Sequence, residues 1–391
     1  MSYGWNAKFS KPSPDTDFVL NKEGSSYVAW GGRKYSRISN TDLSDTWADM
    51  NAAVSAGPSV KFGSAEFTID ACLDVENEGT IISGVAPGST IFKLGSGVDD
   101  DIIRNSAGGF YRNTFIEKLT IDGNRVNNTI GRGIEWNVTA GTSGSEKFYE
   151  NLSIDKIIIT ECDNEGLYFR TTTGVLGTLN LGQHRIWNND GTTAAGHQVY
   201  LERVFDSFIG GVKSMMSSLH MNNCATNIIR GIYFGGGIDN LVKLDGGASD
   251  YATTGNIISG CKVDNASGTA IQFDDYARRN KVVGCDITNQ AQGHGDNTAP
   301  AIEVVSATAL YNQIEDTHIG HNNIITTNRW NYAFQELQDS YTKILNCSTG
   351  YGAVLGGNAE HFGTLEADLV AASHTEIQNC RRDDGRIWRQ S

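Results

Sequence analysis

Two short phrases, SGCKVDN from Ser259 and VGCDITN from Val283, set Cys261 and Cys285, Val263 and Ile287, and Asn265 and Asn289 at one common interval of 24 residues. Related segments stand on either side: KLTIDGN (118–124), KIIITEC (156–162), HRIWNND (184–190), GVKSMMS (211–217), RGIYFGG (230–236), EDTHIGH (315–321) and ILNCSTG (344–350). Their spacing runs from 19 to 38 residues, so structure repeats here and sequence does not. Most are followed by a second apolar strand: GLYF (166–169), QVYLE (198–202), NLVKL (240–244), AIQFD (270–274) and AIEVV (301–305). Strand, sharp turn and strand at this period is the pattern of an all-β solenoid, the parallel β-helix, whose equivalent residues stack about 4.8 Å apart. Cys261 over Cys285 and Val263 over Ile287 are expected inside. Asn265 and Asn289 are expected at the turn, where asparagine tolerates left-handed backbone and can bond to its counterpart on the next coil.

Composition agrees with short strands and tight turns. The 391 residues include 45 glycines and only 5 prolines, and 19% are charged. Seven cysteines without a CxxC pair oppose both a disulfide framework and a zinc site, and packed thiols are expected. A net charge of −14 with no basic run opposes nucleic-acid binding, and a polyanionic ligand would need a local cationic patch or bridging metal ions. No stretch is apolar and long enough to insert into a membrane, and the opening MSYGWNAKFSKPSPDTDF lacks the apolar core of a signal peptide.

Residues 1–40 read as an irregular arm, 41–380 as the β-helix domain and 381–391 as a polar tail. Within SDTWADMNAAVSAG, Trp47, Met50 and Val54 share a helical face between an N-cap at Ser44 and a stop at Gly57, so a helix over 44–56 is expected to cap the open first coil. Next come PSVKFGSAEFTID, TIISGVAPGSTIFKL and LTIDGN. Together with the helix they resemble the start of pectin-lyase-like right-handed parallel β-helices, especially phage tailspikes and polysaccharide depolymerases. The resemblance covers residues 40–124 in sequence and the later coils by period. It implies a single right-handed parallel β-helix of roughly ten or more coils, a polysaccharide as partner, a homotrimer as in tailspikes, and a virion-associated or extracellular setting. It leaves the chemistry open, since such folds include hydrolases, lyases, epimerases and inert spikes.

With apolar residues inward, the first strand column turns outward Asp122, Lys213, Tyr233, Lys262, Asp264, Asp286, Asp316 and His318. The second turns out Tyr168, Arg170, Tyr200, Glu202, Lys243, Gln272, Asp274 and Glu303. Glycoside hydrolysis needs two carboxyl groups about 5 Å apart for retention or about 6.5–9.5 Å for inversion, distances that stacked coils supply. Asp274 with Glu303, and Asp286 with Asp316, are the candidate pairs, and His318 is a candidate acid or base. Any β-helix surface carries outward acids, so these pairs compete with a purely structural reading. Tyr168, Tyr200 and Tyr233 are expected on one broad face as sugar platforms, with Arg170, Glu202, Lys243, Lys262 and Arg278 as polar contacts.

QFDDYARRN (272–280) is either a groove wall of Asp274, Asp275, Arg278 and Arg279 or a self-neutralised turn. GHGDN (293–297) with NNDG (188–191) and Asp274-Asp275 resembles polygalacturonase motifs in order but fails on spacing. The histidines His184, His197, His220, His294, His318 and His321 are spread over successive coils, as turn or surface residues are. Trp187 is expected in the core, and Trp330 is open between core and groove. A uronate lyase or epimerase would use Lys243, Lys262 or Arg170 with calcium on Asp264, Asp286 and Asp316. Hydrolysis stands ahead because the −14 charge disfavours a polyuronate unless calcium intervenes. A non-catalytic glycan-binding spike is the alternative of another class.

Overall fold

The computed structural model describes residues 59–105, 112–138, 147–171, 175–187, 197–235, 240–247, 252–264, 268–289, 300–321, 334–336, 340–349 and 375–382. It also describes 18–23, 26–31, 36–37, 51, 54, 189, 266 and 387–388. The chain is a parallel β-helix in which each full coil contributes three strands, one more than the sequence pattern suggested. The first ladder is a ten-stranded sheet running from Leu73–Val75 to Phe334–Glu336. Its inward column joins Ile103, Ile134, Leu167, Val199, Leu219, Val242, Ile271, Ile302 and Phe334 in register.

The second and third ladders share one large sheet that bends at a corner. The second stacks Ile82, Ile116, Ile154, Leu181, Ile209, Ile229, Ile258, Val282, Ile314, Ile344 and Ile377. The third stacks Phe92, Ile121, Ile159, Ile186, Met216, Phe234, Val263, Ile287 and Ile319. All of these side chains are buried. Branched residues suit a column of this kind, since each presents a stiff apolar wall to its copy one coil away, and full burial of one is worth about 1.5–3 kcal/mol.

Val263 and Ile287 are register partners, and Cys261 and Cys285 are buried beside them, as their spacing required. All seven cysteines are free and buried. The asparagine expectation needs correction. Asn265 lies outside the described residues, and Asn289 belongs to the strand Asp286–Asn289, paired with His321. The turn asparagines that do stack are Asn227, Asn256, Asn280 and Asn312, one residue before each second-ladder strand. The Asn256 Oδ1 accepts from Asn227 N and Nδ2, the Asn280 Oδ1 from Asn256, and the Asn312 Oδ1 from Asn280, at 2.9–3.2 Å. Each of these side chains is buried. Their Nδ2 groups also reach back to carbonyls of the preceding coil, at Val204, Cys224, Thr253 and Ala277.

The corner between the second and third ladders requires left-handed backbone. Gly260 and Gly284 supply it at φ 58° and 60°, and Asp316, Asn346 and Asn379 do so at 48–53°. Lys118, Lys156 and Lys213 occupy the same kind of corner in earlier coils, at φ 59°, 51° and 66°.

Both chain ends depart from expectation. Inside the segment expected to be irregular, Phe18–Glu23 and Ser26–Gly31 form an antiparallel hairpin, and Phe18–Leu20 pairs in parallel with Val60–Phe62. That hairpin covers the edge of the first second-ladder strand. Of the helix expected over 44–56, only Asn51 and Val54 are described. Val54 is fully buried, and the Asn51 Oδ1 accepts from Asp74 N at 2.9 Å. Trp47 and Met50 lie outside the described residues. In the expected tail, Ile387–Trp388 folds back antiparallel on Cys380–Arg382.

Removing one rung of the asparagine ladder should be costly. Asn280→Ala strands the Asn256 N and Nδ2 donors in a buried corner, and we expect a loss of about 2–4 kcal/mol, read as a lower urea midpoint at an unchanged m-value.

Candidate functional site

The outward side of the first ladder holds a continuous polar face. Its central column runs Asp74, Arg104, Glu135, Tyr168, Tyr200, His220, Lys243, Gln272 and Glu303, each opposite the next in register. Two residues further along each strand, a parallel column carries Asn137, Arg170, Glu202, Asn222 and Asp245, and Asp274 follows, its N–H bonded to Leu244 O. The two-residue repeat of a strand produces both columns, because every second residue points outward.

The middle of this face is one connected cluster. Tyr168 and Tyr200 stack with ring centres 5.1 Å apart and planes 14° from parallel, and the edge of His220 meets Tyr200 at 5.1 Å. The Tyr200 hydroxyl donates to Glu202 at 3.4 Å and accepts from Asn222 Nδ2 at 3.1 Å. Lys243 Nζ lies 3.6 Å from Asp245 and 3.0 Å from Asp274, and His220 Nε2 lies 3.7 Å from Asp245. Burial works against charge on Asp245, but the nearby His220 and the Lys243 ammonium hold its carboxyl below the usual range. Burial, partly offset by Asn222, pushes the Tyr200 phenol far up, so it stays a hydroxyl donor. His197, buried and 4.9 Å from His220, is pushed down to about 3 by burial and by the facing His220 and Lys243 charges.

Towards the N-terminal end a second group sits under Tyr168. Arg132 bonds Glu165 at 3.0 Å, lies 3.5 Å from Glu135 and 3.9 Å from Asp101, and places its guanidinium 4.2 Å from the Tyr168 ring centre. Asp101 is pushed up to about 7 by burial and then by its hydrogen bond with Glu135, against the pull of Arg132. It therefore gives up its proton only as pH passes through about 7.

Of the residues expected from sequence, the structure gathers Tyr168, Arg170, Tyr200, Glu202, Lys243, Asp274 and Glu303 on this face. Glu303 sits at its far end, accepting from Gln272 and Thr269. Tyr233, Lys262, Asp286 and His318 stand elsewhere, as one column on the third ladder. Tyr233 is therefore not on the face of the other two tyrosines, because Tyr168 and Tyr200 belong to another strand of the coil. Asp286 faces His318 and not Asp316, which is the exposed left-handed corner residue of the next coil. His318 Nδ1 contacts Ser348 Oγ at 3.0 Å. Arg278 lies at the turn after the first ladder, donating to Thr308 O, while Asp274 turns to Lys243, so the QFDDYARRN acids and arginines neither neutralise each other nor form one wall. Asp264 is buried and accepts from the Tyr233 hydroxyl. Among the described residues no three His, Cys, Asp or Glu converge as metal ligands, and the proposed calcium set of Asp264, Asp286 and Asp316 does not come together. Trp187 is 43% exposed beside Arg185 and not in the core. Side chains of His321, His294 and Trp330 lie outside the described residues, as does GHGDN.

Asp101, Arg132, Glu135, Glu165, His197, His220, Asn222 and Asp245 are site residues that the pattern did not single out. Asp245 was within reach, being the next outward position after Lys243. Arg132, Glu165 and His197 precede their strands, where no alternation marks them.

No protein-family model matches the chain, and no curated protein matches it in sequence. Solved structures do match in fold. The A-module of mannuronan C-5 epimerase AlgE4 from Azotobacter vinelandii superposes with a TM-score of 0.54 at 18% identity, covering 87% of this chain and 96% of that one. The AlgE6 A-module from the same organism gives 0.53 at 16%, covering 89% and 96%. The full-length tailspike protein 2 from Escherichia coli O157:H7 bacteriophage CAB120 gives 0.54 at 12%, covering 84% of this chain and 44% of that one. At such identities the likeness is one of fold, the parallel β-helix.

The buried groups predict opposite pH signatures. Asp101 binds its proton more tightly folded than unfolded, so its ionisation destabilises the protein as pH rises from about 4 through about 7. Asp101→Asn should gain stability relative to wild type across that window and hold the gain above it. His197 binds its proton less tightly folded, so stability is lost as pH falls below 6.5 towards 3. His197→Gln should flatten that acid limb. Urea midpoints from pH 4 to 9 for the three proteins check both signs.

Proposed function

We propose that the chain binds a polysaccharide along the first-ladder face and hydrolyses it there. The observation that carries the reading is the pairing of Glu202 and Asp245 on one outward column, two coils apart across Asn222. At about 4.8 Å per coil their backbones are separated by roughly 10 Å. Side chains leaning towards Asn222 would bring the carboxyl groups into the range of an inverting glycosidase, about 6.5–9.5 Å, which leaves room for a water. Asp245, held ionised by His220 and Lys243, activates that water. Glu202, bonded by the Tyr200 hydroxyl, protonates the leaving oxygen. The Tyr168 and Tyr200 rings offer apolar faces to sugar CH groups, and Arg170 and Lys243 orient hydroxyls. Acids outnumber bases along this face, which favours a neutral stretch of glycan over a polyuronate.

A second reading is elimination or epimerisation at a uronate. It is favoured by one feature, the grouping of Lys243 with His220 and Tyr200, since C5 proton abstraction needs a base and a cation on the carboxylate. That β-helices of this shape include mannuronan C-5 epimerase modules and a phage tailspike supports a polysaccharide as ligand under either reading. Secretion or attachment to a virion, and a trimeric state, belong to the same proposal by likeness to the tailspike.

Incubation with neutral and acidic polysaccharides should release reducing ends without unsaturated-uronate absorbance, and the first product should have the anomeric configuration opposite to the substrate bond. Glu202→Gln and Asp245→Asn should each lower the rate by about 10²–10⁴-fold, while Asp286→Asn and Glu303→Gln leave it near wild type. Near-ultraviolet absorbance of the product would replace hydrolysis by elimination. Full activity in Asp245→Asn would remove the face from catalysis altogether.

A further inference from the structure

The outward column of the third ladder carries side chains that the first-ladder face does not use. On four successive coils it presents Asp286, His318, Ser348 and Arg381, each opposite the next in register. In-register strands bring such neighbours to one interstrand spacing, about 4.8 Å. A carboxylate, an imidazole, a hydroxyl and a guanidinium therefore follow one another in line. Asp286 and Arg381 are exposed, and His318 and Ser348 are half-buried between them.

The central pair is already joined. His318 Nδ1 and Ser348 Oγ are 3.0 Å apart, within the reach at which a base takes a hydroxyl proton. The ring lies back along its own strand over Gly320, where a Cβ would stand 2.8 Å from Nε2, so glycine at this position leaves the ring its room. Beside Gly320 in register is Thr288, whose Oγ1 is buried and has no hydrogen-bond partner among the described residues. That oxygen is an acceptor on the Nε2 side of the ring. It favours hydrogen on Nε2, which leaves Nδ1 to accept from Ser348.

We propose that Ser348 and His318 are a nucleophile and its base, and that this site hydrolyses short-chain carboxylic esters. Ser348 Oγ bonds to the acyl carbon as its proton passes to His318 Nδ1. The same proton goes to the departing alcohol oxygen as its bond to the acyl carbon breaks. A water that gives a proton to Nδ1 then attacks the acyl-serine, the acid leaves, and Ser348 takes the proton back. Arg381, on the far side of Ser348, offers N–H donors to the carbonyl oxygen as it becomes negative. Asp286, one coil behind the ring, acts through His318 as a positioning residue, since its charge stabilises the imidazolium formed in each transfer. Because the pair stands on an open strand face, the acyl group it fits is short, such as acetyl. The site is separate from the first-ladder face, since its strands belong to the large sheet.

Turnover of p-nitrophenyl acetate by the full chain, together with covalent labelling by a fluorophosphonate, tests the proposal. The wild-type protein should hydrolyse the ester with saturation kinetics and take up the label on the peptide that holds Ser348. Ser348→Ala should abolish labelling and, like His318→Gln, lower kcat/KM by about 10²–10⁴-fold. Both side chains face outward, so the melting temperatures of these variants should stay near wild type. Asp286→Asn should lower kcat with KM unchanged, and Asp286→Glu should restore it. No turnover by the wild-type protein, turnover that survives Ser348→Ala, or a label placed elsewhere would each overturn the proposal. An unchanged kcat in Asp286→Asn would overturn the role of that carboxylate.

Discussion

In-register parallel hydrogen bonding between successive coils is the constraint on which everything else depends. It fixes the rise at one interstrand spacing and forces equivalent residues into straight columns. Once Ile154 sits under Leu181 and Ile258 under Val282, the residues that point away from the core have no freedom of register. Register along a parallel sheet needs pinning, because a slip by one residue would exchange core for surface. The asparagine ladder supplies it. Asn227, Asn256 and Asn280 each donate through N and Nδ2 to the Oδ1 of the next coil's asparagine and back through Nδ2 to a carbonyl of the coil before, and a slip would leave buried amides unpaired.

Sequence and structure agree where a side chain answers to a single period. Cys261 with Cys285 and Val263 with Ile287 were legible because an apolar residue can stack only on an apolar residue. The first-ladder residues Tyr168, Arg170, Tyr200, Glu202, Lys243, Asp274 and Glu303 were legible because strict alternation assigns their side. The second ladder was not. In NIISGCKVDN two strands meet at a corner of only Gly260 and Cys261, and the run reads as one segment. That omission misplaced Asp316, which looks like an outward strand residue until the corner is recognised and its φ of 48° puts it in the turn. It also put Tyr233 beside Tyr168 and Tyr200, although the strands concerned lie on different sides of the coil.

The buried ionisable groups were hidden for another reason. Glu165, His197 and Asp101 lie just before their strands, and each is enclosed by partners contributed by neighbouring coils: Arg132 for Glu165 and Asp101, and His220 for His197. Their environment is a property of three-dimensional stacking. One sequence raises the carboxyl of Asp101, by burial and then by Glu135 against the pull of Arg132, and lowers that of Asp245, whose burial is outweighed by His220 and Lys243.

Charge is distributed over the coil to the same effect. The first-ladder face collects acids and ties its cations to them, as Lys243 is tied to Asp245 and Asp274. The corner between the second and third ladders places Lys156 and Lys213 outward, each in left-handed conformation. A non-glycine residue in left-handed conformation costs roughly 1–3 kcal/mol. The same chain solves that corner with Gly260, Gly284, Asn346 and Asn379, so the cheaper residues are available to it. Lys118 also stands at such a corner, but its ammonium is engaged by Glu117. Lys156 is tied to Asp155 in the same way, and Lys213 stands without an ion pair among the described residues.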